Sequence, residues 1–65
     1  MLSQSDISRN FTNCKTLTDG AVTLSFFTPY TRRCCEVRVA GELIGTRYTP
    51  KTAFALYLQA RKAAR

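Results

Sequence analysis

Arginine supplies most of the recognition chemistry in this chain, and its placement is uneven. Arg32, Arg33, Arg38, Arg47, Lys51, Arg61, Lys62 and Arg65 all follow Thr28, where only Glu36 and Glu42 oppose them. Before Thr28, Arg9 and Lys15 are balanced by Asp6 and Asp19. The whole net charge of +6 therefore belongs to the second part of the chain. A neutral part joined to a basic part suggests a chain built to meet something anionic. A guanidinium's planar fork grips phosphate and reads guanine edges. The hydroxyls of Thr23 and Tyr30 can anchor phosphates beside it.

Other chemistries find less support. There is no histidine, and the four acids are scattered, so no general acid–base pair stands out. No glycine-rich loop is present to cradle a phosphate. We expect no enzyme and no cofactor. The three cysteines, Cys14, Cys34 and Cys35, are too few for a zinc site without histidine. Adjacent Cys34 and Cys35 point to opposite sides of a strand. An odd count also argues against a disulfide framework. Cys34 adjoins Arg33, whose charge would lower a thiol pKa. The favoured reading is nevertheless three inert thiols in a reducing cytosol. Met1–Asn10 lacks the apolar core of a signal peptide. The strongly apolar run Ala53–Leu58 is far short of the ~20 residues that span a bilayer. A cytoplasmic chain with no membrane partner is expected.

These side chains must be positioned by a single small domain, because 65 residues allow no more. Residues 1–13 read as a short helix or arm, with Ile7 and Phe11 four apart on one face. Ser3 and Asp6 make a weak imitation of a capping box. Residues 14–65 read as a sheet-plus-helix unit. Asp19-Gly20 marks a turn between a short edge strand at Cys14–Leu17 and a strand at Ala21–Phe27. Pro29 suits a turn in the loop that follows. A further strand spans Cys34–Ala40. Gly41-Glu42 then suits a two-residue turn, pairing Val39 with Ile44, Val37 with Thr46 and Glu36 with Arg47. A one-residue shift would set Val39 against Glu42, which disfavours it. Thr49-Pro50 opens a helix whose Ala53, Leu56, Tyr57 and Ala60 share a face. Arg61, Lys62 and Arg65 suit its C-terminal dipole.

The expected fold is α+β: a three-stranded antiparallel sheet packed on one C-terminal helix, with a short N-terminal helix or arm. The expected core is Val22, Leu24, Phe26, Cys35, Val37, Val39, Ile44, Ala53, Leu56, Tyr57 and Ala60. The opposite sheet face would carry Thr23, Ser25, Phe27, Cys34, Glu36, Arg38, Leu43, Gly45 and Arg47. Tyr30, Arg32 and Arg33 would join it from the loop at one end.

Gly45, Thr46, Thr49, Ala53 and Tyr57 resemble, in type and spacing, the helix-capping segment of the plant ethylene-response-factor DNA-binding domain. The phage integrase arm-binding domain is similar in layout, with three strands and an alanine-rich helix. Both families bind duplex DNA through the outer face of the sheet. The resemblance implies contacts by Arg38 and Arg47, with Arg32 and Arg33 nearby. Val37, Val39, Gly41 and Gly45, followed by Thr49-Pro50-Lys51-Thr52-Ala53, resemble instead a double-stranded-RNA-binding domain. That likeness implies a grip by the helix N-terminus and Lys51.

Duplex DNA binding through the exposed sheet face is the leading expectation, in a small accessory or regulatory protein of a phage or mobile element. Duplex RNA is one alternative. A small inhibitor or adaptor that binds a host protein is another, with Phe27, Tyr30, Leu43 and the arginines as its contact patch. An exposed edge strand would also let the chain form a homodimer.

Overall fold

The computed structural model describes residues 1–28 and 31–64. The elements are α1 (Gln4–Asn13), β1 (Leu17–Asp19), β2 (Val22–Phe27), β3 (Cys34–Val39), β4 (Glu42–Arg47) and α2 (Pro50–Ala63). The strands form one antiparallel sheet in the order β1-β2-β3-β4. The expected α+β class holds, but the sheet has four strands rather than three, and two helices cover it. Among the described residues, no helix is long and apolar enough to cross a membrane.

The N-terminal segment is a full helix because its cap is better than its sequence suggests. The Ser3 N–H donates to Asp6 Oδ2 at 2.9 Å, and the Asp6 N–H donates to Ser3 Oγ at 3.1 Å. Aspartate thus closes the reciprocal box normally completed by Glu or Gln. Ile7 and Phe11 then enter the core, and the Phe11 ring meets Phe26 edge-on at 5.3 Å. At the other end Cys14 takes a left-handed conformation (φ 56°) and its N–H reaches Asn10 O at 2.7 Å. Cys14 therefore ends α1, and the edge strand begins at Leu17 rather than at Cys14.

Alternation sets the sheet's two sides. Val22, Leu24 and Phe26 on β2, with Cys35 and Val37 on β3, face the helices and are buried. From α2, Ala53, Leu56, Tyr57 and Ala60 complete the same cluster. Thr49 caps α2 by accepting from the Thr52 N–H at 3.3 Å, and Pro50 follows at the first helical position.

The β3–β4 hairpin departs from the expected register. Its turn is Ala40-Gly41, with φ of 51° and 85°, rather than Gly41-Glu42. Two successive positive φ values give the turn a twist that matches the flanking strands. Val39 therefore faces Glu42, Glu36 faces Thr46 and Cys35 faces Arg47. A bulge takes up Ile44, which is 41% exposed and lies outside the core. Beyond the bulge Gly45 faces Val37. A Cβ at Gly45 would stand 2.8 Å from Leu56 Cδ2, so the bare backbone lets α2 lie close over β4.

Candidate nucleic-acid interface

Both helices lie on one side of the sheet, and the cross-strand register fixes what the other side displays. One row runs Thr18, Thr23, Arg38, Leu43; a second runs Ser25, Glu36, Thr46; a third pairs Phe27 with Cys34. Hydroxyls thus flank a central ion pair. Arg38 Nη2 donates to Glu36 Oε1 at 3.1 Å. This contact holds the guanidinium over the sheet, engages one of its five donors and leaves others for an incoming acceptor.

The sequence-predicted residues do not all converge. Thr23 and Arg38 are direct cross-strand neighbours, as expected. Arg47 is not with them. Its partner Cys35 faces the helices, so Arg38 and Arg47 lie on opposite sides of the sheet. Gly45 moves to the helix side for the same reason. The cause is the turn and the bulge, which change the parity of β4 after Leu43. Arg47 is exposed and its Nη1 donates to Thr46 O at 2.8 Å.

Arg33 is also engaged elsewhere. Its Nη1 donates to Phe11 O at 2.5 Å and Thr12 O at 2.6 Å. The last turn of α1 has no base of its own. Arg33 therefore supplies from the β2–β3 loop the cation that a helix C-terminus favours. Lys51 is exposed in the first turn of α2, where there is no acid. Tyr30 lies outside the described residues.

Arg32 lies over the ring of Tyr48, 4.6 Å from its centroid, in a cation–π stack. Tyr48 directly follows β4 and was missed by sequence reasoning. Continuing the observed register by one residue from Cys35 and Arg47 would set Tyr48 against Cys34, with Phe27 on the far side of that residue. That signal was masked by the wrong hairpin register. Phe27 and Tyr48 are both exposed, at 37% and 48%.

Most of the acids are engaged, whereas several bases are not. Three of the four acids have partners: Asp6 with the Ser3 N–H, Asp19 with Tyr57 and Arg61, and Glu36 with Arg38. The Ser3 bonds hold Asp6 below the usual carboxylate range. Arg9, Lys15, Arg32, Lys51 and Lys62 form no ion pair among the described residues. The thiols offer no nucleophile on this face. Burial pushes Cys34 up and Cys35 up to about 12, while Arg33 reaches away toward α1. Among the described residues no three Cys, Asp or Glu side chains gather as a metal site. No family model, curated protein or solved structure matches the chain.

Proposed function

We propose that the chain is a small basic protein that binds duplex nucleic acid, DNA foremost, with the uncovered face of its sheet. One observation carries this reading. The face left bare by both helices sets Arg38 among the hydroxyls of Thr18, Thr23, Ser25 and Thr46, and an Arg32–Tyr48 stack stands just beyond the end of β4. Arg38 and Arg32 supply the guanidinium contacts, and the hydroxyls anchor phosphates on either side. A twisted antiparallel sheet has the shape to enter a major groove. Arg47, Lys51 and Lys62 add attraction from outside that face, and Arg33 serves α1.

Binding of a fluorescent duplex tests the reading. Affinity should fall steeply between low and moderate salt, because phosphate contacts release counterions. Arg32→Ala with Arg38→Ala should remove most binding while circular dichroism stays unchanged. Unchanged affinity rejects the sheet face as the site. Preference for duplex RNA, lost in Lys51→Ala, would mark the start of α2 as the contact instead.

A second reading rests on exposed apolar residues on and beside this surface. Phe27, Leu43, Ile44 and Tyr48 are all at least 37% exposed. Aromatics beside arginine also suit a protein interface. A pure preparation that shifts no duplex at low salt but captures one host enzyme would favour the adaptor role.

A further inference from the structure

The sheet has two free edges, and they differ. β1 is three residues long, and its last residue, Asp19, is held by Tyr57 and Arg61. A short edge with its end tied down is poorly suited to recruiting another strand. β4 has six residues, no proline and no lysine, and Glu42, Leu43, Ile44 and Arg47 are exposed along it. Among the described residues, no strand lies beside its outer edge.

The bulge gives this edge an unusual property. Glu42 and Arg47 are five apart, so in a regular strand they would point to opposite sides. The extra residue at Ile44 changes the parity. Glu42 faces Val39 and Arg47 faces Cys35, and both partners belong to the helix side. An acid and a base therefore end the strand on one side. We propose that β4 pairs antiparallel with β4 of a second copy, around a twofold axis between Ile44 and Gly45. In that register Glu42 meets Arg47 of the second copy, and Arg47 meets its Glu42. Leu43 meets Thr46, and both sit on the open side. Ile44 meets Gly45, the two residues nearest the axis.

Two opposite-charge pairs form by symmetry, one for each end, as an isologous contact requires. Main-chain hydrogen bonds supply the affinity, and the charges set the register. The product is one eight-stranded sheet whose open face is twice as long. The inference does not depend on what that face binds.

Sedimentation equilibrium across a wide concentration range tests it. The wild type should show a monomer–dimer equilibrium. Glu42→Arg alone, and Arg47→Glu alone, place like charges together and should each weaken the dimer about tenfold. Mixing the two variants should restore a heterodimer, since every facing pair is again opposite. The double variant E42R/R47E should dimerise like the wild type. A wild type that stays monomeric overturns the proposal, and so do single variants that dimerise undiminished. If a variant fails to fold, hydrogen exchange on the wild type decides. Amides of β4 should gain protection with rising concentration, and their failure to do so rejects the pairing.

Discussion

The Tyr57 hydroxyl donates to Asp19 Oδ2 at 2.5 Å, joining the middle of α2 to the end of β1. The same oxygen accepts from the Leu2 N–H at 2.8 Å, and Arg61 Nε meets Asp19 at 3.0 Å. One buried phenol thus ties the chain's start, its edge strand and its last helix together. Tyr57→Phe strands the Leu2 amide and should cost about 1–2 kcal/mol, measured by urea unfolding. The loss should depend on pH. Tyr57, then the N-terminus and Arg61, hold the Asp19 carboxyl below its ordinary value. A lowered folded-state pKa stabilises above the unfolded value, about pH 4, and that stability is lost as pH falls through the folded pKa. The gap between wild type and variant should therefore narrow on acidification.

Arg32 and Arg33 are neighbours with separate tasks. Arg33 donates to two carbonyls at the end of α1, whereas Arg32 stacks on Tyr48. Arg33→Ala should lower stability by about 1 kcal/mol and loosen α1 while sparing duplex affinity. Arg32→Ala should do the reverse, weakening duplex binding with little change in melting temperature. Thermal unfolding and fluorescence anisotropy on both variants check the division. Equal loss of binding in both would contradict it.

The thiols should separate by burial. Cys14 is exposed, while Cys34 and Cys35 are buried with their pKa values raised by desolvation. Thiolate is the reactive form, so a native sample near neutral pH should titrate one thiol. All three should react in denaturant. Fast reaction of a second thiol in the native state would mean that β3 opens locally.

What the sequence disclosed followed from strong, local signals. Alternating Val22, Leu24 and Phe26 marked β2, Cys35 and Val37 marked β3, and Thr49-Pro50 marked the start of α2. Asp19-Gly20 located the first hairpin, although the turn itself is Gly20-Ala21, with Asp19 paired to Val22. α1 was faint because a mostly polar decapeptide needs only Ile7 and Phe11 to dock, and because aspartate closed its capping box. Arg33's task was hidden because it depends on α1 ending beside a loop about twenty residues later. The second hairpin failed most instructively. Both Ala40-Gly41 and Gly41-Glu42 contain the glycine, and hydrophobic pairing favoured the wrong choice. The bulge at Ile44 then reconciled the right turn with placing Gly45 on the helix side under Leu56, which no alternation rule anticipates. The separation of Arg38 from Arg47 followed from that single shift.

The same turn holds a correctable strain. Ala40 sits at φ 51°, in the left-handed region where a Cβ crowds the following carbonyl. Gly41, at φ 85°, meets no such penalty. Asparagine tolerates the left-handed region far better than alanine and leads the preferred Asn-Gly pair for this turn. Ala40 is exposed, so no packing opposes the change. Its own N–H, which donates to Ala21 O at 2.9 Å, is retained. Ala40→Asn should therefore stabilise the fold by about 0.5–1 kcal/mol. Gly41→Ala should destabilise it by a similar amount or more, because its φ would be forced on a side chain. Denaturant midpoints of the two variants should move in opposite directions. If Gly41-Glu42 were the turn instead, Ala40 would be an ordinary strand residue, and asparagine there would lower the midpoint.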